Sequence, residues 1–316
     1  MITKLNIDAL VASKFGLYKS NEHFKHFNLT QMHSTIRDEI ESLCDLADQR
    51  VCIKRCNHFN IKGTRPDDYR ERIIYLDEDL FFLAGIRFQG PDVTKSFVSV
   101  HANFSEFTET QIFKIAELLK KEFEIFSPKS FNVTYPQGQG ISTHDFQIDR
   151  YTVVGVIKEL VQLELVPITD ELELIPLTEM NFYDEYVKEY ALLYTKSPFL
   201  RSEVKTESLE SLNDSAKDGL LFKVQINGKC AGVIAGYIED YYGQKEVCIL
   251  EELLFESFRG KGLGVYLQKA FAIKMLDRFN LLWGHISDLN PSSLKTALKN
   301  GRKITEIEYI FSLDNF

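Results

Sequence analysis

The chain has 316 residues, 44% of them hydrophobic and 26% charged, with a formal net charge of −9. That length predicts two domains, each large enough for its own core, and the composition excludes collagen-like, disordered and disulfide-rich classes. With 20 basic and 23 acidic residues up to position 165, and 17 and 23 beyond it, the chain is a poor partner for nucleic acid, where affinity rests on neutralising phosphates; a cationic small substrate is easier to accommodate.

No stretch approaches the ~18 consecutive apolar residues of a membrane span, so no membrane partner is expected. The opening MITKLNIDALVASKFG carries Asp8 within its apolar part and lacks a clean hydrophobic region, which argues against a signal peptide. Cys44, Cys52, Cys56, Cys230 and Cys248 are odd in number and dispersed. That pattern fits a reducing, cytoplasmic setting better than a disulfide framework.

Taken in chain order, residues 24–47 place Phe27, Leu29, Met32, Ile36, Ile40, Leu43 and Leu46 mostly three and four apart, predicting one or two helices with an apolar face. Strands are expected over 72–76, 80–88 and 96–104, separated by Asp77-Glu78-Asp79 and Gln89-Gly90-Pro91-Asp92. An amphipathic helix over 108–126 turns Ile112, Ile115, Leu118, Leu119, Phe123 and Phe126 inward, and a strand follows over 131–135. Pro136-Gln137-Gly138-Gln139-Gly140 reads as loop, and 151–166 as an apolar run of either type. The domain boundary is placed near 165, giving domains 1–165 and 166–316. The second is expected to run as strand 171–175, helix to about 194, helix 208–217, then strands 221–226 and 230–238 around the hairpin signal Asn227-Gly228. Strand 247–255, a glycine-rich turn, a helix to about 279, strand 281–287, helix 291–299 and strand 304–313 complete it.

The chemistry concentrates in VCILEELLFESFRGKGLGVYLQKAFA, residues 247–272. A strand runs into Arg259-Gly260-Lys261-Gly262-Leu263-Gly264, and a helix begins at once. A glycine-rich turn at a helix N-terminus leaves backbone N–H groups outward, and with the helix dipole makes an anion site. Neither the Walker pattern nor the GxGxxG spacing is present.

Arg259-x-x-Gly262-x-Gly264 after a strand resembles the acetyl-CoA diphosphate signature of the GNAT (Gcn5-related N-acetyltransferase) superfamily, and the element order of 166–316 resembles the whole GNAT fold. The resemblance implies an α/β (α+β) GNAT domain with a mixed, mostly antiparallel central sheet. It also implies acetyl-CoA as cofactor, bound by Gly260, Lys261, Gly262, Leu263 and Gly264 with Arg259. Asp288-Leu289-Asn290-Pro291-Ser292-Ser293 followed by LKTALKNGRK resembles the family's second landmark, a helix that flanks the pantetheine arm, which brings in Asn290 and Ser293. Here the chain departs from the family pattern. Ala297 stands where the family usually has a tyrosine that protonates the departing thiolate, and Arg302 where it usually has phenylalanine.

Glu251-Glu252-Leu253-Leu254-Phe255 resembles the family strand that carries a carboxylate base. Successive strand residues face opposite sides, so only one of Glu251 and Glu252 can face the acceptor. Glu251 is slightly favoured, and both being plain surface carboxylates is the competing reading. The backbone of Leu253, Leu254 and Phe255 would pair with pantetheine amides as an added strand does. Weaker candidates are Cys52-x-x-x-Cys56-x-His58 as a metal site, Cys248 as a nucleophile, and His285 or Tyr237, Tyr241 and Tyr242 near the cleft. Asp240, Glu246 and Glu256 would make its mouth negative.

Residues 72–135 repeat the order strand, strand, strand, helix, strand. The turn before that helix, Asn103-Phe104-Ser105-Glu106-Phe107-Thr108, has no glycine. A degenerate GNAT-like repeat, and so a tandem protein, is the expectation; an unrelated α/β domain walling off the acceptor site is the alternative. The function expected is acetyl-CoA-dependent N-acyl transfer to a small amine or amino-acid-like acceptor in a ternary complex. A non-catalytic CoA-binding sensor is the alternative. An aminoacyl transferase using charged tRNA is disfavoured by the intact loop and the acidic balance.

Overall fold

The computed structural model describes residues 2–25, 27–90, 92–143, 145–166, 171–201 and 204–314. Its contacts divide the chain into two units, one of residues 1–149 and 306–316 and one of residues 150–305.

The first unit opens with three helices, α1 (Lys4–Ser20), α2 (Leu29–Asp45) and α3 (Gln49–Phe59), and continues with β1 (Arg72–Tyr75), β2 (Phe81–Gln89), β3 (Asp92–Ala102), α4 (Glu109–Glu122) and β4 (Ser130–Pro136). Asn28 starts α2 by accepting from the amides of Thr30 and Gln31, and Met32, Ile36 and Ile40 bury its inner stripe. β1, β2 and β3 are antiparallel neighbours, β3 and β4 pair in parallel, and the seven residues from Glu306 to Ser312 pair antiparallel with β4.

Two of these helices, α1 and α3, are additional to the elements the sequence predicted. In α1 the buried residues Asn6, Leu10, Val11 and Tyr18 form no continuous apolar stripe, and α3, KRCNHF at its end, is polar throughout most of its length. α1 lacks the periodicity on which a sequence reading depends, and α3 carries it only at Cys52, Cys56 and Phe59, over a short stretch.

The second unit takes in most of β5 (Gln147–Val156), then α5 (Ile157–Gln162), β6 (Leu172–Pro176), α6 (Tyr183–Lys196), α7 (Leu209–Lys217), β7 (Leu221–Ile226), β8 (Lys229–Tyr241), β9 (Gln244–Leu254), α8 (Gly264–Met275), β10 (Leu281–Ser287) and α9 (Pro291–Lys299); β11 (Lys303–Ser312) begins in it and ends in the first. Strand order here is β5-β10-β9-β8-β7-β6, antiparallel except for β9 with β10. The predicted hairpin at Asn227-Gly228 joins β7 to β8. One face of this sheet packs Tyr186, Tyr190 and Leu212 of α6 and α7; the other packs Leu267, Phe271 and Met275 of α8 with Ile157 and Leu160 of α5.

The division by contacts falls at 149/150, whereas the sequence placed it near 165. The reason is β5, which pairs with β10 from Tyr151↔Ile286 to Val156↔Leu281 and so brings the ambiguous run 151–166 into the second unit. The first unit thus takes residues 306–316 from the far part of the sequence, while the second is one continuous stretch. Among the described residues no helix is long and apolar enough to cross a membrane.

Candidate active site in the second unit

β9 and β10 pair in parallel at Leu282↔Val247 and Trp283↔Cys248 and at no later position among the described residues, while β9 continues against β8 to Leu254. The two strands therefore fork beyond Cys248. A register shift between Ala235 and Gly236 of β8 bulges β9 at Leu250, next to the fork. A cavity of about 800 Å3 occupies this region, lined from β9 by residues 249–254, from β10 by 284–287, and by the first turns of α8 and α9.

At the rim of the fork the turn before α8 is open. Gly260 and Gly262 both hold φ near +75°, a conformation that glycine adopts without the steric cost other residues incur, and a Cβ at either would meet nothing within 4 Å. α8 begins without a side-chain cap; its first internal bond is from Leu267 N to Leu263 O. Among the described residues the amides of Gly260, Lys261, Gly262, Leu263, Gly264, Val265 and Tyr266 find no acceptor. Such a run at a helix start is an anion cradle. Gly264 is in close quarters, since a Cβ there would lie 3.0 Å from Thr296 Cγ2 and 3.2 Å from Glu252 Oε1. The Lys261 ammonium lies over the Phe258 ring at 5.6 Å, and the Leu263 side chain is buried in the core.

Arg259 is turned back into the protein. Its Nε donates to Leu254 O at 2.5 Å, and Nη2 donates to Glu189 O and Oε2 at 3.2 and 3.3 Å. It braces the loop against β9 and α6. Glu256 pairs with Lys196 and lies 3.6 Å from Arg259, which leaves its carboxyl below the usual range.

Glu251 and Glu252 leave β9 on opposite faces, as strand alternation requires. Glu251 faces α6 and is 5% exposed. It accepts from the hydroxyls of Tyr186 and Tyr190, the latter at 2.8 and 3.0 Å, and from the amide of Glu252 at 2.8 Å. Burial pushes its carboxyl up to about 7, against the downward pull of the hydrogen bonds. The same burial, with the Glu251 charge alongside, holds both tyrosine hydroxyls protonated far above their ordinary value. Glu252 is partly buried on the α8 side, where Gln268 Nε2 donates to it at 2.5 Å and burial raises its pKa.

Leu253 and Phe255 pack into the α6 face and Leu254 against the α8 face. The Phe255 amide donates to Ala231 O at 2.7 Å, towards β8, so the unpaired edge of β9 runs over residues 249–254. Asn290 starts α9 by accepting from Ser293 N at 3.3 Å, with Pro291 in the first turn, and both Asn290 and Ser293 line the cavity. Ala297 is fully buried with Val153 and Ile286.

The weaker candidates fall elsewhere. Tyr241 packs its ring on Trp283, Tyr237 donates to Glu239 at 2.9 Å, and Glu246 accepts from the amides of Asn280 and Leu281. Asp240 accepts from Gly243 N within the β8–β9 turn. Burial raises the Cys248 thiol to about 12, which keeps it protonated. Cys52 and Cys56 lie one turn apart on α3, and no group of three or more metal-type ligands occurs among the described residues. His285 does line the cavity, with Nδ1 3.2 Å from Thr152 Oγ1. What sequence reasoning missed is the tyrosine pair: Tyr186, Tyr190 and Tyr194 recur every four residues, a one-face pattern visible in the sequence.

The strand order, the parallel pair that opens into a fork and the bare loop at α8 are features that the resemblance to the GNAT fold implied. No family model matches the chain, and no curated protein matches it in sequence. Among solved structures, it is similar to a GNAT-family acetyltransferase from Colwellia psychrerythraea, at 10% identity and a TM-score of 0.46 over 82% of this chain and 94% of that one. A GCN5-related N-acetyltransferase from Kribbella flavida matches at 12% identity and a TM-score of 0.41, over 83% and 95%. A conserved protein of unknown function from Bacteroides thetaiotaomicron matches at 14% and 0.42, over 98% and 97%.

Proposed function

We propose that the second unit is an N-acyltransferase that uses acetyl-CoA and acts on a small amine or amino-acid-like acceptor by direct transfer in a ternary complex. The observation that carries this reading is an open strand fork with seven unpaired amides at its rim. Those amides, and the empty space outside Gly260 and Gly262, fit a diphosphate approaching the backbone. The free edge of β9 fits the pantetheine amides as an added strand, with Asn290 and Ser293 of α9 on the far side. When bound, the coenzyme supplies an activated acyl thioester.

The protein's own part is to position the acceptor and remove its proton. Tyr190 lines the cavity and donates to Glu251. The Tyr190 oxygen takes a proton from the attacking amine as its own passes to Glu251, whose pKa near 7 suits a base at neutral pH. Glu207, on the same wall, presents a carboxyl with which an ammonium would pair. We further propose that the first unit is a degenerate repeat of the same frame, which makes the protein a tandem.

Ala297 favours a second reading, a CoA-binding sensor without turnover. Calorimetric titration with acetyl-CoA tests both: absence of binding defeats each of them. Thiol release across a panel of amines then separates enzyme from sensor, since the sensor releases none above the acceptor-free rate.

A further inference from the structure

Arg302 is 4% exposed and lines the cavity at the closed end of the fork. Its side chain makes no hydrogen bond and no ion pair with any described residue, and Nε is fully enclosed. A guanidinium carries five donors, and leaving the enclosed one at Nε unmet is costly. The acidic group that acts on it is Glu252 of β9, beyond ion-pair distance, together with the weaker influence of Cys248 on the same strand; burial dominates and lowers the Arg302 pKa to about 10. From α9, Lys295 and Lys299 also line the cavity, and His285 does so from β10.

The surrounding backbone is shaped for this side chain. A Cβ on Gly155 of β5 would lie 2.9 Å from Arg302 Cγ, so the strand leaves room for its stem. A Cβ on Gly284 of β10 would lie 3.9 Å from Arg302 Nη1 and 3.8 Å from Ile249 Cβ, which puts the guanidinium where β9 and β10 part. The diphosphate cradle is at the other end of β9, near Leu254. A chain laid along the free edge from that cradle therefore brings its far end, the sulfur end, to Arg302. Ala297, one turn away, offers no acid, and its carbonyl accepts from the Arg302 amide at 3.1 Å.

We propose that Arg302 is the binding group for the coenzyme's sulfur, pairing with it as the thiolate. The inference rests on the acyltransferase reading above. As the amine nitrogen bonds to the acyl carbon and the carbon–sulfur bond breaks, the bonding pair leaves with sulfur. The amine's proton goes to the Tyr190–Glu251 side, Arg302 keeps its own protons and stabilises the anion by charge, and water later supplies the thiol proton.

The test is the ultraviolet absorbance of the thiolate of bound coenzyme A, followed against pH in wild type, Arg302→Gln and Arg302→Lys. The bound thiol should titrate about one unit or more below free coenzyme A in wild type, as for an anion beside a fixed cation. The depression should vanish in Arg302→Gln and survive in part in Arg302→Lys. Calorimetry adds a comparison of coenzyme A with its desulfo analogue, whose affinities for wild type should diverge as pH rises. A wild-type thiol that titrates as in free solution overturns the proposal, and this arm does not depend on any variant folding. An Arg302-dependent preference for succinyl-CoA over acetyl-CoA with an unshifted thiol also overturns it, by assigning the guanidinium to an acyl carboxylate. Failure of coenzyme A to bind wild type at all would instead sink the underlying acyltransferase reading.

Discussion

Each unit contains a parallel strand pair joined across a helix, and the two treat the start of that helix in opposite ways. In each, two antiparallel neighbours lead to a strand that pairs in parallel with the next, across an intervening helix: β3, α4, β4 in one and β9, α8, β10 in the other. At α4 the helix start is sealed. Thr108 Oγ1 accepts from Gln111 N while the Gln111 side chain accepts from Thr108 N. The opening between β3 and β4 is closed as well: Phe107 N donates to Gly140 O at 2.6 Å, Ser142 N donates to Phe107 O, and the rings of Phe104, Phe107 and Tyr135 fill the space. At α8 none of this happens. Strand order alone does not make a ligand site; the site depends on whether a few amides and the fork beside them are satisfied from within.

The largest expected contrast is occupancy. Titration of the full chain with coenzyme A should give one equivalent, and a second equivalent of similar affinity would break the comparison. Gly262→Val forces a β-branched residue into a left-handed conformation and disorders the cradle. Losing two or more charge-assisted bonds to the diphosphate should weaken coenzyme A binding by about 100-fold, while the left-handed backbone, strained although a Cβ there meets nothing, should lower stability by only about 1–2 kcal/mol. Glu251→Gln should lower kcat by about 100-fold and leave coenzyme A affinity near wild type. In wild type the rate should rise with pH through about 7, as Glu251 loses its proton, and Glu251→Gln should lose that limb. The stability of the same pair sharpens the assignment. A carboxyl raised from 4.5 to about 7 holds a proton in the native state that the unfolded chain releases, so its contribution is present at pH 4 and lost as pH rises through that window. Melting temperatures should therefore fall from pH 5 to pH 8 more for wild type than for Glu251→Gln. The smallest effect belongs to the sealed helix: Thr108→Ala should cost about 1 kcal/mol of stability, read by denaturant unfolding, with no change in acyl transfer.

Much of this was legible in the sequence because it depends on local spacing. The glycine turn, the alternation that sends Glu251 and Glu252 to opposite faces, the Asn290 cap and the Asn227-Gly228 hairpin are all set by neighbours within a few residues. What escaped depends on distant partners. The pairing of β5 with β10 joins residues some 130 positions apart, and no local pattern tells which distant strand a segment will join. Arg259 looked like a ligand for phosphate because its nearest sequence neighbours are glycines, whereas Glu189, some 70 positions earlier, holds it. Arg302 stands in the sequence only as a departure from a family pattern, because the room for its side chain is left by the distant Gly155.

The crossing of strands has a consequence for how the molecule is made. β4 finds its outer neighbour only in residues 306–312, 170 positions further along. Until those residues emerge, the earlier part of the chain presents a bare β edge, the kind of surface on which other chains template, and contacts this remote in sequence slow the search for the native pairing. A fragment cut near 165 would leave the N-terminal half without its closing strand and strip β10 of β5, so separately produced halves should regain their proper form only when mixed.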